Sequence, residues 1–340
     1  MFGLGWLRAL TDARGLLEHA HHGVPRLGEG YTTDDNARAL LYLSLLPEGA
    51  RDEGLVRTYL AFLLHMQKED GRFRNGLTLD GRFEDEGEAE DPTGRAVLAL
   101  AAAQRLPPPY AGPAREALLR ALPALEGFTS LRGRAYALLG LLALPKEPFL
   151  EAAEALGEGL LRAFREAEPA WPYPGPLTYA NHRPVEALYA YGLAFRRQEA
   201  VALARRALAF LKEHYFTPGE EGLFFDPVGN RFMARGRDKP LFDQQPIEAK
   251  CALLAHLRFG ERVLAEVAFL WFHGRNRLRA PLVDAFGPMD GLTPHGPNQN
   301  RGAEALLAVL LAWQALVQGV FPQVDEGVAL GRVFALGGRP

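Results

Sequence analysis

Residues 34–43 read DDNARALLYL, and altered copies recur as PTGRAVLAL (92–100), RGRAYALLGL (132–141), RPVEALYAYGL (183–193), PIEAKCALL (246–254) and RGAEALLAVL (301–310). The copies align on a charged residue, Arg38, Arg95, Arg134, Glu186, Glu248 and Glu304 in turn, followed by a nearly unbroken apolar run and preceded by a polar loop. Successive charges lie 57, 39, 52, 62 and 56 residues apart. Self-similarity at a period near fifty marks a repeat architecture, here six helical hairpins.

The stretches between the copies are amphipathic. Residues 52–67 place Leu55, Tyr59, Leu60, Leu63 and Met66 close to helical spacing, and 199–213 set Arg205, Arg206 and Lys212 against Val201, Leu208 and Leu211. Residues 147–166 repeat the pattern with Glu151, Glu154 and Glu158 outward. By contrast, 183–196 and 301–316 are apolar nearly all round. The patterning predicts about twelve helices, over 6–20, 33–46, 52–67, 93–105, 113–124, 131–143, 147–166, 183–196, 199–214, 245–258, 260–273 and 301–317. Buried helices alternate with amphipathic ones, so the expected fold is all-α, an (α/α)6 toroid with six inner helices inside six outer ones. An open α-solenoid is the rival, but its repeats are usually more even in length. One domain over 1–340 is expected, with its core at about 6–317 and a tail at 318–340.

With 48% hydrophobic residues, 340 residues hold enough apolar material for a large core. A formal net charge of -3 and the lack of any long like-charge block speak against a nucleic-acid partner. The single cysteine, Cys251, excludes an internal disulfide and a cysteine-cluster metal site, and its apolar context reads as a buried, inert thiol. No apolar run is long enough to span a membrane, and MFGLGWLRAL lacks the form of a secretory signal. A cytoplasmic location is the resulting expectation. Arginine dominates over the five lysines, a bias that suggests a thermophile. Oligomeric state has no sequence marker.

Long loops at 68–92, 168–182, 215–244 and 275–300 run into inner-helix starts, which a toroid gathers at one end. There lie Thr33-Asp34-Asp35-Asn36, Glu90-Asp91, Asn181-His182-Arg183, Asp243-Gln244-Gln245 and Asn298-Gln299-Asn300. Each could simply cap its helix. Together, with Trp171, Tyr173, Tyr179, Asp290 and His295 nearby, they favour a polar ligand site. The three Arg and three Glu inside the helices read first as a salt-bridge collar, since buried charges must pair. The alternative is that Glu304 or Glu248 reaches the cavity as a catalytic acid.

Aromatic walls with carboxylates and carboxamides suit a sugar. Glycosidic cleavage needs a protonated carboxyl for the leaving oxygen and a second carboxylate at the anomeric side. Asp34, Asp35, Asp91 and Asp243 are the leading catalytic candidates, with Glu304 in reserve. Asn36, Asn181, Gln244, Gln245, Asp290, His295, Asn298 and Asn300 would hold hydroxyls, with Arg38 and Glu248 on the same rim. Trp171, Tyr173 and Tyr179 would stack on the rings. Dinucleotide, P-loop, zinc-protease and serine-hydrolase motifs are lacking, and no cofactor is expected. His19, His21 and His22 (EHAHHG) invite a metal, but read better as the basic end of a helix. QKEDGRF (67–73) has the look of terpene-cyclase repeats, in a single copy without the acidic motif.

GYTTDDNARAL (30–40), DGRFRN (70–75), EDPTGRAVLAL (90–100), LTYANHRPVEAL (177–188), FDQQPIEA (242–249), WFHGRN (271–276) and DGL…NQNRGAEALL (290–307) resemble a family of bacterial six-hairpin, glycosidase-like proteins. Its members carry glycosyltransferase labels or are encoded beside mannoside phosphorylases. The resemblance spans roughly 10–317 and implies the (α/α)6 fold and a carbohydrate role, with mannosides as the sugar class. Two departures stand out: a serine–glutamate–aspartate pattern becomes Ala89-Glu90-Asp91, and LTYDNAR becomes LTYANHR, so Ala180 replaces an acid. The expected activity is therefore glycoside hydrolysis of an oligosaccharide. A non-catalytic sugar-binding or scaffolding partner of a glycosyltransferase is the rival, and a sugar epimerase or lyase is a third reading.

Overall fold

The computed structural model describes residues 4–84, 90–144 and 146–320. Among them run twelve α-helices: α1 (Leu4–Ala9), α2 (Thr33–Ser44), α3 (Glu53–Met66), α4 (Glu90–Ala103), α5 (Pro108–Leu125), α6 (Leu131–Leu141), α7 (Phe149–Glu166), α8 (His182–Ala194), α9 (Gln198–Tyr215), α10 (Pro246–Arg258), α11 (Arg262–Leu270) and α12 (Ala303–Gln318). The even-numbered helices pack in sequence, α2 on α4, α6, α8, α10 and α12, and α12 returns to α2. That closure makes the fold an (α/α)6 toroid. It rules out an open solenoid, whose terminal repeats would not touch.

Composition explains the layering. In α4 every residue from Pro92 to Ala103 is buried, and in α10 every residue from Pro246 to His256. Small residues let these inner helices approach closely. A Cβ added at Gly94 of α4 would stand 2.5 Å from the Gly133 carbonyl oxygen of α6, and one at Gly140 would stand 2.7 Å from Leu98 Cα. The outer helix α7 buries Phe149, Ala153, Leu156, Leu160 and Phe164 at helical spacing while Glu151 faces solvent.

The first predicted helix needs correction. Only Leu4–Ala9 is helical, not 6–20. Asp12 stops it: its side chain accepts the Arg14 and Gly15 amides at 2.8 and 3.2 Å, a turn that competes with helix continuation. The chain then runs extended through hairpin β1–β2 (Ala20–His21, Val24–Pro25). His21 therefore sits in a strand, and the helix-end reading of the histidines does not hold. This segment is stitched to the start of α12: the Ala303 amide donates to the Glu18 carbonyl at 2.9 Å, and the Arg301 amide to the Ala20 carbonyl at 2.7 Å.

The long loops fold into small antiparallel pieces at the same end of the ring. β3 (Tyr31–Thr32), β4 (Gly76–Leu77) and β5 (Phe83–Glu84) form one sheet. β6 (Phe216–Gly219) pairs with β7 (Gly222–Phe225), β8 (Val283–Asp284) with β9 (Gly287–Pro288), and β10 (Leu292–Thr293) with β11 (Gly296–Pro297). No helix among the described residues is long and apolar enough to cross a membrane. Ala89 and most of the tail, 321–340, lie outside the described residues.

Candidate functional site

A cleft of about 270 Å3 opens over the seam between α2 and α12, lined by Glu18, His19, Thr32, Asp34, Asp35, Arg38, Asn75, Gln245, Asp290, Gly302, Glu304 and Ala305. Five carboxylates and one imidazole thus converge at the N-terminal end of the inner ring. Thr32 is the N-cap of α2, its hydroxyl accepting the Asp35 amide, so Asp34 and Asp35 occupy the first turn, where negative charge is favoured. Glu304 occupies the same place on α12. Gly302 is needed for close approach: a Cβ there would stand 3.0 Å from Asp290 Oδ2, the Glu18 carbonyl and His19 Nδ1.

The charges are interlocked. Arg38 donates to Asp35 Oδ1 at 2.6 Å and to Glu304 Oε2 at 2.8 Å, and Arg95 donates to Asp34 Oδ2 at 2.5 Å. Burial pushes the Glu18 carboxyl up to about 7, with the Asp35 charge adding to it. His19 is raised from its usual value, first by its interaction with Asp290, and burial opposes this. Burial also raises Asp35, against the pull of Arg38. Asp290 accepts from Asn300 Nδ2 and from the Gly302 amide, and Asn300 Nδ2 also lies 2.8 Å from His19 Nδ1.

Of the sequence candidates, Asp34, Asp35, Arg38, Gln245, Asp290 and Glu304 line this cleft, with Asn300 directly behind it. The others stand elsewhere. Asp91 is bound by Arg132 at 2.7 Å, Ser130 at 2.6 Å and Tyr179 at 2.8 Å; burial would raise it, but Arg132 and Arg95 outweigh that and hold it below the usual carboxylate range. Asp243 is exposed and accepts from Asn230 at 3.3 Å. Asn36 is buried under the N-terminal segment, bonding the Leu16 amide and the Thr32 carbonyl. Gln244 is buried between Asp226 and Trp271. Asn181 is buried between the Thr178 amide and the Tyr215 hydroxyl. These three spend their amide groups inside the protein, which corrects the expectation that they meet hydroxyls.

The aromatic candidates are also placed away from the cleft lining. Trp171 packs edge-on against Phe210 of α9 and donates to the Gly175 carbonyl. Tyr173 is buried against Phe164 of α7. Tyr179 lies under the Arg132 guanidinium at 3.9 Å. His295 is exposed at the β10–β11 turn, and Asn298 accepts the Asn300 amide. The cleft is polar, with His19 the single ring among the described residues that line it.

The expected salt-bridge collar forms only in part. Arg38–Glu304 crosses the seam, and Glu186 pairs with Arg183 and with Arg258 at 3.1 Å. Arg134 instead donates to the Phe128 and Gly159 carbonyls. Glu248 accepts the Ala180 amide at 2.8 Å, and burial pushes its carboxyl up to about 8. Ala180 itself packs with Ile247 and Cys251 and does not line the cleft.

Sequence reasoning missed Glu18, His19, Thr32 and Asn75. EHAHHG was a visible signal for the first two, but the mistaken helix concealed it. Among the described residues, no group of three or more His, Cys, Asp or Glu is arranged to hold a metal.

No protein-family model matches the sequence, and no curated protein matches it. Solved structures do. A D-mannose isomerase aligns at TM-score 0.66 and 11% identity, over 93% of this chain and 94% of that one. A cellobiose 2-epimerase from Bacillus thermoamylovorans aligns at 0.66 and 10%, over 91% and 94%. A GH76 α-mannanase from Bacteroides thetaiotaomicron aligns at 0.61 and 11%, over 98% and 95%. At such identities the likeness shows the fold: this chain shares its (α/α)6 toroid with sugar isomerases, sugar epimerases and glycoside hydrolases.

Proposed function

We propose that this chain is a glycoside hydrolase acting on the end of an oligosaccharide, with mannosides as the first sugar class to test. The observation that carries the reading is the convergence of Glu18, Asp34, Asp35, Asp290 and Glu304 on one small cleft. Glu18, protonated near neutrality, is placed to give its proton to the leaving glycosidic oxygen. Glu304, side chain 38% exposed and oriented by Arg38, serves the anomeric carbon by activating water or by direct attack. Thr32, Asn75, Gln245 and Asp290 supply hydrogen bonds to hydroxyls. A volume near the lower end for ligand pockets suits a terminal sugar better than a long chain.

His19 supports a second reading, epimerisation or isomerisation of a free sugar, because an imidazole between Glu18 and Asp290 can shuttle a proton at carbon. One experiment separates the two: wild type, Glu18→Gln, Glu304→Gln and His19→Gln are given manno-, gluco- and galacto-oligosaccharides, and free sugars in D2O. Sugar release lost in the first two variants supports hydrolysis. Deuterium entering the sugar without bond cleavage, and lost in His19→Gln, supports the second reading. Neither reaction, with thermal stabilisation by one sugar, overturns both in favour of a binding protein.

A further inference from the structure

A second cavity, of about 490 Å3, lies between the outer helices α5 and α7 and shares no lining residue with the cleft. Its volume falls within the range of small-molecule pockets, about 300–1,000 Å3. Leu122 and Leu125 of α5, Phe128 and Leu156 of α7 give it apolar walls. Between them α7 presents Ala152, Ala155 and Gly159, which are too small to fill the space. The groove also holds charge. Arg134 reaches outward from α6, its Nε donating to the Phe128 carbonyl at 2.7 Å and its Nη1 to the Gly159 carbonyl at 3.3 Å. Gly159 makes room for it, since a Cβ there would stand 3.1 Å from Arg134 Cζ. Arg134 Nη2 makes no hydrogen bond among the described residues and stays open to water. Arg162 lines the same groove, one turn along α7 from Gly159. Neither guanidinium has an ion pair among the described residues. Burial lowers the Arg134 pKa, the Glu90 charge opposes this, and the like charge of Arg162 adds to it. Glu90 is itself occupied by the Thr129 and Ser130 amides. The two carboxylates on the groove, Glu126 and Glu151, are exposed and pair with neither arginine. A half-buried guanidinium beside a second one, held only by neutral carbonyls among the described residues, is matched by an anion.

We propose that this groove binds a small carboxylate with an apolar body, its head between Arg134 and Arg162 and its body along Leu122, Leu125 and Leu156. The planar guanidinium of Arg162 can take both carboxylate oxygens, and Arg134 Nη2 adds a further donor. A neutral apolar compound would leave the guanidinium groups unmatched, and a bare anion would leave the apolar walls in water. The groove can be occupied whatever reaction the cleft performs, since the two share no lining residue.

The test uses the whole protein with octanoate as the probe, and octanol and acetate as its two halves. Isothermal titration should show saturable binding of a single octanoate per chain, about tenfold or more tighter than either half. A rise in Tm of about 2 °C or more should accompany it. Arg162→Gln, at an exposed position, should weaken octanoate by about tenfold and leave octanol unchanged. Ala155→Trp, which fills the groove, should abolish octanoate binding. Either variant suffices if the other fails to fold, and crystals soaked in bromine-labelled octanoate, with an anomalous peak expected between α5 and α7, need neither. No saturable octanoate binding, octanol bound as tightly, octanoate affinity unchanged in the folded variants, or bromine absent from the groove would overturn the proposal.

Discussion

Arg38 on α2 and Glu304 on α12 meet at 2.8 Å across the seam where the last inner helix closes onto the first. The same guanidinium holds the buried Asp35 at 2.6 Å. One side chain thus fastens the ring and sets two carboxylates of the cleft. Arg38→Met should therefore strand Asp35 in the interior and lower stability by about 3 kcal/mol or more, read as a shift in the urea midpoint. A change below about 1 kcal/mol would show that the seam is held by apolar packing alone.

Glu18 should control pH dependence. Its folded carboxyl is raised to about 7, so the stability attached to its neutral form is present below the ordinary carboxylate pKa of about 4.5 and is lost as pH rises toward 7. Glu18→Gln should flatten the stability profile across that window, by about 1–2 kcal/mol after discounting for its partial exposure. On a substrate with a poor leaving group, wild-type kcat/KM should fall above pH 7, and the variant should lose roughly 100-fold or more. An unchanged alkaline limb in Glu18→Gln would remove Glu18 as the proton donor.

Helix approach makes a paired prediction about glycine. Gly94→Ala drives a Cβ into the Gly133 carbonyl at 2.5 Å and should cost about 1–3 kcal/mol. Gly112→Ala, in α5 with nothing within 4 Å, should instead stabilise by about 0.5–1 kcal/mol through helix propensity. Thermal melts of the two variants should move in opposite directions.

Asp91 joins α4 to Arg132, Ser130 and Tyr179 and does not line the cleft. Asp91→Asn should lower stability by about 1–2 kcal/mol while kcat/KM stays within tenfold of wild type, whereas Glu304→Gln should do the reverse. A large loss of turnover in a stable Asp91→Asn protein would return Asp91 to the catalytic candidates.

The architecture was legible because period and burial are one-dimensional signals. The six copies around Arg38, Arg95, Arg134, Glu186, Glu248 and Glu304 mark helices that must be covered on all sides, and the amphipathic stretches between them supply the cover. Eleven of the twelve helices were expected within a few residues of where they stand. The failure at 6–20 is local chemistry overriding periodicity, since Asp12 turns the chain before the pattern can run on.

Much of the cleft was legible too, but only through residues in the first turn of an inner helix or just ahead of it, such as Asp34, Asp35, Gln245 and Glu304. Which polar groups face open space is a property of the neighbours that folding brings against them. Asn36 and Gln244 have the composition of sugar ligands, yet they are consumed by Leu16, Thr32, Asp226 and Trp271. Glu18 and His19 enter the cleft only because the N-terminal segment pairs with residues 300–303, closing the ring. Sequence by itself determined the repeat, the layering and the end of the ring where polar groups gather, because these follow from the order of apolar and polar residues along the chain. The tertiary structure alone decided which carboxylates share a cleft, which cation each of them meets and which proton is held near neutrality, because charge pairing and burial depend on distances that only the closed ring creates.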